Sequence, residues 1–489
     1  MPPDANLYSL IATAAAEAGD RPVFVEGGIA RLRYSELDSA VAGWAAALRR
    51  RGLSPGDRIL VQAEKSIECA LLYLASLRAG LIHVPLNTAY TEAELAYFVE
   101  DAEPGLVVGD AELARLAAEV RQDDSFDTVP RGRDDLAAIL YTSGTTGRSK
   151  GAMLSHGNLA SNALVLKDYW RWREGDVLIH ALPIYHVHGL FVALHGALLN
   201  GSTMLWHRVF EAGAVIADLE RATILMGVPT FYVRLAADPR LTRGTVANMR
   251  LFVSGSAPLL ESTFAQFESR TGHRILERYG MTEAGMICSN PYDGERLPGT
   301  VGFPLPGISV RIADDQAREV PRGAPGVIET RGPNLFKGYW RKPEKTAEEM
   351  RPGGWFVTGD VAVMDETGRV SIVGRAKDLI IAGGLNIYPR EIELAIDAVP
   401  GVGESAVIGV PHPDLGEAVV AVVTRSDPAL EEAALLAAIA PRLARFKQPR
   451  RVIFADALPR NAMGKVQKAA LREEHKALFD DWRDAAAPC

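Results

Sequence analysis

The sequence predicts an α/β protein in which short β-strands alternate with amphipathic helices. Residues 35–48 show helical periodicity, while the apolar runs 58–61 and 106–108 have the length of strands. This alternation is typical of a parallel sheet that carries helices on its faces. Residues 299–338 instead form short runs separated by Gly and Pro, which predicts a small β-rich subdomain within the larger part of the chain.

The chain has 489 residues, too many for one ordinary core, so at least two domains are expected. After Arg375 the pattern becomes that of a compact α+β unit, with helices beginning near Pro389 and Leu430. The sequence therefore predicts a large N-terminal domain, residues 1–376, and a small C-terminal domain, residues 377–489.

The composition indicates a globular protein and excludes several classes. The net charge is −8 and no long basic run offsets it, which argues against nucleic-acid binding. Three separated cysteines (Cys69, Cys288 and Cys489) favour a reducing compartment and give no zinc pattern. No secretory signal is visible at the N-terminus, and the most apolar stretch, residues 179–206, is broken by Pro and His. We therefore expect a cytoplasmic protein without a membrane span.

A loop rich in Gly, Ser and Thr, residues 141–151, predicts phosphate binding. Glycines let the backbone turn its N–H groups inward, hydroxyls add donors and Lys150 adds a positive charge. The loop is not of the Walker A type, because Lys150 is followed by Gly151 and the glycine spacing differs. Taken alone, it would also suit a flexible linker. The predicted nucleotide contacts here are Thr142, Ser143, Gly144, Thr145, Thr146, Gly147 and Lys150.

Shorter motifs farther along the chain carry further candidates. Thr282 and Glu283 end the run Tyr-Gly-Met-Thr-Glu, where the carboxylate suits Mg²⁺ and the hydroxyl suits a phosphate oxygen. A helix N-cap is the alternative. Asp360, in Thr-Gly-Asp, is an acceptor suited to ribose hydroxyls, unless it simply occupies a turn. The remaining predicted nucleotide contacts are Ser256, Ala257, Pro258, Tyr279, Gly280, Met281 and Arg375.

In order and spacing, these motifs and residues 459–465 resemble the adenylate-forming acyl-CoA synthetases over nearly the whole chain. The resemblance implies that ATP and Mg²⁺ convert an acid to an acyl-adenylate, which CoA then attacks. It implies that Lys465 neutralises the α-phosphate beside Thr282 and Glu283, and that the C-terminal domain is mobile about Lys377. It also implies a CoA tunnel lined by Gly383, Gly384 and Leu385.

Two arginines indicate which acid is activated. Arg278 directly precedes the Tyr-Gly-Met-Thr-Glu motif, and Arg234 follows the apolar run 228–233. Because a buried Arg without a counter-charge costs several kcal/mol, roughly, an Arg in the acyl pocket predicts an anionic substrate tail. With Ser256 and His188, this set resembles the malonyl-CoA synthetases (malonate:CoA ligases), with methylmalonate as an alternative substrate.

Other interpretations remain open at this level. If the arginines form structural pairs with Glu277 or another acid, or turn to the surface, the enzyme would activate another short or medium-chain acid. His188 could equally be a satisfied core histidine, and Ala284 stands where Ser or Thr is expected. A noncatalytic adenylate-binding protein is also conceivable, although Lys465 and Glu283 are both present. Acetylation would remove the charge of Lys465, so an acetyltransferase is a further expected partner.

Overall fold

The computed structural model describes residues 5–121, 123–142, 149–383, 385–461 and 465–480. It divides into two compact units: Met1–Val310 with Thr330–Phe356, and Arg311–Glu329 with Val357–Cys489. Six predicted contacts lie outside the described residues: Ser143, Gly144, Thr145, Thr146, Gly147 and Gly384.

The first 300 residues alternate strands with helices, which confirms the predicted α/β class. Their elements are α1 (Leu7–Ala18), β1 (Pro22–Glu26), β2 (Ile29–Arg33), α2 (Tyr34–Arg50), β3 (Arg58–Gln62), α3 (Ile67–Arg78), β4 (Ile82–Pro85), α4 (Glu92–Ala102), β5 (Leu106–Gly109), α5 (Asp110–Glu119), β6 (Leu136–Thr142), β7 (Lys150–Ser155), α6 (His156–Tyr169), β8 (Val177–His180), a π-helix (His188–Leu194), α7 (His195–Leu199), β9 (Thr203–Trp206), α8 (Ala212–Asp218), β10 (Ile224–Gly227), α9 (Pro229–Ala237), β11 (Leu251–Ser254), α10 (Glu261–Thr271), β12 (Leu276–Met281) and β13 (Gly285–Ser289).

The rest of the chain is richer in strands and contains longer hairpins. Its elements are β14 (Phe303–Pro304), β15 (Ser309–Ala313), β16 (Pro325–Arg331), α11 (Pro343–Glu348), β17 (Met350–Arg351), β18 (Trp355–Met364), β19 (Val370–Arg375), β20 (Ile380–Ala382), β21 (Leu385–Ile387), α12 (Pro389–Asp397), β22 (Val402–His412), β23 (Gly416–Arg425), α13 (Glu432–Ile439), β24 (Arg451–Ala455) and α14 (Lys468–His475).

Two sheets form the framework of the first unit. A nine-stranded sheet has the order β14-β13-β12-β11-β10-β8-β9-β1-β2, and a five-stranded sheet has the order β5-β3-β4-β6-β7. The central strands from β12 to β1 run parallel, and antiparallel strands close both edges. The loops after β8, β10 and β11 leave from carboxyl ends of neighbouring parallel strands, where α/β sheets bind ligands.

The smaller C-terminal part is built on the β22–β23 hairpin, whose side chains are buried on both faces. One face, with Val407 and Val419, packs against α12 and α13, while the other, with Ile408 and Val420, packs around Leu471. This double burial explains why both strands read as nearly continuous apolar runs. The sheet order is β21-β20-β23-β22 with β24 beside β23, and a further sheet has the order β15-β16-β18-β17 with β19 beside β18.

The helix starts follow local capping chemistry. Thr91 accepts from the Glu94 backbone N–H while the Glu94 carboxylate accepts from the Thr91 N–H, which satisfies two otherwise unpaired donors at the start of α4.

Among the described residues, no helix combines the length and apolar character that a membrane span requires.

Candidate active site

Arg278 lies on β12 with its side chain buried and only 4% of the residue exposed. Its Nε and Nη2 atoms are buried and have no hydrogen-bond partner among the described residues. Burial lowers the pKa of this guanidinium to about 9. The described part of the chain supplies no carboxylate for this buried cation, so it can pair with an anion from a ligand.

The predicted structural pairing of Arg278 with Glu277 is not formed. The two residues are neighbours on β12, so their side chains point to opposite faces of the sheet. Glu277 instead accepts a hydrogen bond at Oε1 from the Gly299 backbone N–H, at 3.1 Å. The buried carboxylate therefore has its own role in holding a turn, and Arg278 remains available for a ligand.

His188 begins the π-helix and faces the same region. It is 1% exposed, and its Nε2 has no partner within the described residues, while its Nδ1 lies 3.5 Å from the Ser256 hydroxyl. Burial and the nearby Arg278 charge lower the pKa of His188, so the ring is neutral. Ser256 follows β11 with a φ of 72°, an uncommon conformation for a residue with a side chain. The structure thus brings Arg278, His188 and Ser256 together.

Arg234, the second predicted cation, lies elsewhere. It is on the exposed face of α9, whose buried face carries Tyr232, Leu235 and Ala236. No described ion pair or hydrogen bond joins it to the three residues above. Pro229 starts a helix in the apolar run that contains Arg234, and the helical phase turns Arg234 outward.

Thr282 and Glu283 occupy the turn between β12 and β13. Glu283 is 6% exposed, and its Oε1 accepts from the Tyr339 hydroxyl at 2.9 Å. The same hydroxyl lies 2.6 Å from Oε2 of Glu349, whose Oε1 binds Lys150 Nζ at 2.7 Å. The Lys150 ammonium also sits 4.0 Å from the centre of the Tyr339 ring. A single network therefore links the predicted metal ligand to the predicted phosphate-binding lysine.

The second unit gathers its own charged residues. Asp360 on β18 faces Arg375 on β19, and Asp360 Oδ1 lies 2.9 Å from Arg375 Nε. The backbone N–H of Lys465 donates to Asn461 Oδ1 at 3.0 Å. Burial, together with the charges of Arg375 and Lys377, lowers the pKa of Lys465 to about 8, although Asp360 opposes the shift. The predicted ribose contacts and the predicted catalytic lysine therefore share one electrostatic environment.

Two known protein families match the parts of the chain that carry these motifs. Residues 11–340 match the family described as AMP-binding enzyme, and residues 391–465 match the AMP-binding enzyme C-terminal domain. The chain belongs to the AMP-binding enzyme family. It is an adenylate-forming acyl-CoA ligase, an acid–thiol ligase that forms AMP and uses ATP and CoA as cosubstrates.

Individual relatives of this AMP-binding enzyme differ in their acids. The crystal structure of ATP-bound MatB from Rhodopseudomonas palustris is 51% identical, with a TM-score of 0.92 over 97% of this chain and 100% of that chain. A feruloyl-CoA synthase of an Amycolatopsis species is 37% identical over 91% of this chain and 94% of its own length. A malonate–CoA ligase of Arabidopsis thaliana is 35% identical over 86% of this chain and 78% of its own length.

The residues present fit a magnesium ion at Glu283. Mg²⁺ in nucleotide sites commonly takes one or two protein carboxylates and completes its shell with water and phosphate oxygens. Glu283 supplies a carboxylate whose described side-chain contact is the Tyr339 hydroxyl, so oxygen lone pairs remain for a cation. Burial raises the pKa of this carboxyl, and a metal ion would favour the charged form.

The other predicted ATP-binding residues of this enzyme take the following positions. Tyr279, Gly280 and Met281 end β12, and a Cβ on Gly280 would lie 2.2 Å from the Gly285 carbonyl oxygen, so only glycine allows this hairpin. Ser256, Ala257 and Pro258 form the loop after β11, and Thr142 ends β6.

The residues predicted for CoA and for the hinge lie in the second unit. Gly383, at a φ of 58°, and the exposed Leu385 flank the turn between β20 and β21. Lys377 lies in the 3₁₀ turn Ala376–Asp378, and its role as a hinge stays a prediction.

Sequence reasoning missed Tyr339 and Glu349. Both follow the β-rich stretch, in a run without a binding pattern. Tyr339 contacts Glu283, which is 56 positions earlier in the sequence, and Glu349 contacts Lys150, which is 199 positions earlier. Tyr339 and Trp340 form an aromatic pair next to Gly338, a pattern that indicates side-chain packing and not a binding or catalytic role. The sequence also gives no sign of the role of Gly255, whose missing side chain leaves the space for Arg278.

Proposed function

We propose that this enzyme is a malonate:CoA ligase, which forms malonyl-adenylate and pyrophosphate and then malonyl-CoA and AMP. The observation that carries the proposal is the buried guanidinium of Arg278, two of whose nitrogen atoms have no partner in the described part of the chain. A short diacid has one carboxylate to react with ATP and a second to pair with this guanidinium. Methylmalonate has the same two carboxylates and is an alternative substrate.

The unpaired donors match a carboxylate in number and kind. Arg presents neighbouring N–H groups in a planar fork that binds a carboxylate through two parallel hydrogen bonds. The neutral His188 adds a further buried nitrogen, Nε2, without a partner among the described residues. An uncharged acyl tail would leave the buried guanidinium of Arg278 without a counter-charge, which disfavours a fatty or aromatic acid.

The carboxylate that reacts with ATP needs no general base, because it is already ionised at neutral pH. What the reaction needs is charge stabilisation at the phosphates. Glu283 would hold Mg²⁺, which supplies a positive charge next to the phosphate oxygens, and Thr282 would donate a hydrogen bond to one of them. Lys465 would supply the cation at the α-phosphate, while Asp360 and Arg375 would contact the ribose.

A panel of acids tests the substrate. Purified enzyme is given ATP, Mg²⁺, CoA and one of malonate, methylmalonate, succinate, acetate, octanoate or ferulate, and pyrophosphate release is measured. Malonate or methylmalonate should be used best, and acetate worse by about 10⁴ in kcat/KM, because a site built to pair a charge rejects an analogue that lacks it. A preference for octanoate or ferulate would defeat the proposal.

The alternative is a ligase for another short, medium-chain or aromatic acid. It is favoured by the feruloyl-CoA synthase relative, which has 37% identity. The variant Arg278→Ala separates the two functions. For a malonate ligase, it should raise the KM for malonate while leaving the KM for ATP unchanged. For a monocarboxylate ligase, it should leave the KM for the acid unchanged.

Two further parts of the proposal concern the cell. We place the enzyme in the cytoplasm, and we propose that an acetyltransferase controls it by acetylating Lys465, which would erase the charge used in adenylation. Mass spectrometry of protein isolated from cells should find Lys465 acetylated under some growth conditions. Unmodified Lys465 under every condition would contradict this regulation.

A further inference from the structure

Lys65, in the loop between β3 and α3, has a buried ammonium group without a carboxylate partner among the described residues. It is 7% exposed. Its Nζ lies 3.0 Å from His180 Nδ1, 2.8 Å from the His180 carbonyl oxygen and 2.7 Å from the His207 carbonyl oxygen. The two carbonyl oxygens can only accept, so Lys65 donates a hydrogen bond to each of them. Burial lowers the pKa of Lys65.

The contact with the Gly189 carbonyl oxygen decides the tautomer of His180. Since that oxygen only accepts, the ring hydrogen is on Nε2, and in the neutral ring Nδ1 then accepts a hydrogen bond from the Lys65 ammonium. Nε2 lies 2.9 Å from the Gly189 carbonyl oxygen, which can only accept. Burial and the Lys65 charge lower the pKa of His180, consistent with a neutral ring. The lysine thus prepares His180 to donate to Gly189.

Gly189 is the second residue of the π-helix and follows His188 directly. π-helical turns are rare and occur often at functional sites. A Cβ on Gly189 would lie 2.0 Å from the Pro183 carbonyl oxygen, so the backbone of this turn packs directly against Pro183 and leaves no space for a side chain. The hydrogen bond from His180 to the Gly189 carbonyl oxygen fixes this turn further. The position of the turn determines where the His188 ring lies relative to Ser256 and Arg278.

We propose that Lys65 and His180 are positioning residues for the acid-binding site, which act through Gly189 to hold the first turn of the π-helix and with it His188. The inference rests on the proposed function to the extent that His188 faces the acid. Neither Lys65 nor His180 needs to touch the substrate. An ammonium buried without a carboxylate contributes little to stability, so a role in fixing geometry accounts for its presence better than stability does.

The other end of the same helical run offers a matched control. The Tyr73 hydroxyl lies 2.7 Å from His195 Nε2, and both residues are fully buried. His195 starts α7, immediately after the π-helix. Tyr73→Phe therefore removes one buried hydrogen bond from this run, at His195, the first residue after the π-helix. A merely structural loss should look the same in Tyr73→Phe and Lys65→Met.

The experiment compares the two variants in kinetics and in hydrogen exchange. With the best acid of the panel, Lys65→Met should raise the KM for the acid by about tenfold or more and change the KM for ATP less than twofold, since misplacing a binding group by about 1 Å has effects of this size or larger. Tyr73→Phe should leave both KM values unchanged. Amides of residues 186–194 should exchange faster in ligand-free Lys65→Met than in Tyr73→Phe.

A second pair of variants keeps the test decisive if Lys65→Met does not fold. The amide of His180→Gln can still donate from the position of Nε2, whereas His180→Leu cannot. The KM for the acid should rise less in His180→Gln than in His180→Leu. Equal KM values in this pair, or equal exchange in Lys65→Met and Tyr73→Phe, would overturn the proposal. Because the exchange measurement uses no substrate, it can succeed even if the acid panel rejects malonate.

Discussion

The guanidinium carbon of Arg278 lies 2.4 Å from the position that a Cβ atom on Gly255 would occupy. Non-bonded carbon atoms do not approach so closely, so the direction of the arginine depends on the missing side chain. Gly255 directly follows β11, and Arg278 lies on β12, the adjacent parallel strand. The glycine at the end of β11 therefore provides the space that the Arg278 side chain of β12 occupies.

Gly255→Ala should displace Arg278 and weaken acid binding. We expect the KM for the acid to rise by about tenfold or more, because a shift of about 1 Å in a binding group has a large effect on its contacts. The KM for ATP should change much less. Steady-state pyrophosphate release with each substrate varied in turn measures both values. Gly244→Ala is the control, since its Cβ would meet nothing closer than 3.6 Å. Equal effects of the two changes would contradict the role given to Gly255.

Arg278→Met should make the ligand-free enzyme more stable while it removes activity with a diacid. The change removes a buried charge without a partner and keeps the length of the side chain, which stabilises by about 1–3 kcal/mol in comparable cases. Calorimetry should show an apparent Tm higher by about 2–4 °C for each kcal/mol. Arg250→Met is the control of opposite sign, because Arg250 Nε binds the buried Asp176 at 2.7 Å. A lower Tm for Arg278→Met would mean that the guanidinium has a structural partner.

Tyr339→Phe should impair the use of MgATP without affecting the acid. Its hydroxyl contacts both Glu283 and Glu349, and residues that orient a metal ligand typically account for about 10–100-fold in metal affinity or activity. We expect kcat/KM for ATP to fall by about that factor, and the Mg²⁺ concentration for half-maximal rate to rise. Tyr169→Phe, which removes a hydroxyl 3.4 Å from the Ser289 carbonyl oxygen, should change neither. An unchanged Mg²⁺ dependence in Tyr339→Phe would separate this tyrosine from the metal.

Much of the fold could be predicted because its signals are local. The helix expected near Pro389 is α12, and the apolar runs expected to be strands are β3 and β5. Arg278 could be named because it directly precedes a recognisable motif. In each case the decisive residues are close together in the sequence, so periodicity or a short pattern reports them.

The remaining features depend on contacts between distant residues. Charge alone groups Arg234 with Arg278. The structure separates them, because Pro229 starts α9 and the phase of this helix turns Arg234 outward. The Lys150–Glu349 ion pair joins residues 199 positions apart. Nothing in a linear pattern specifies such a partner, because it depends on which chain segments pack against one another.

The pH dependence of adenylation should report the ionisation of Lys465. A depressed pKa of about 8 means that the lysine loses its charge as the pH rises through that value, while at lower pH it stays an ammonium. Because the proposed reaction needs the cation, kcat/KM for pyrophosphate formation should fall above about pH 8, by tenfold for each further pH unit. An arginine side chain stays charged at pH 8 and well above it, so the profile of Lys465→Arg should stay flat where the wild-type rate falls, although its rate is lower. Thioester formation from supplied acyl-adenylate should show neither the fall nor the effect of the variant. A profile for Lys465→Arg with the same fall near pH 8 would assign the ionisation to another group.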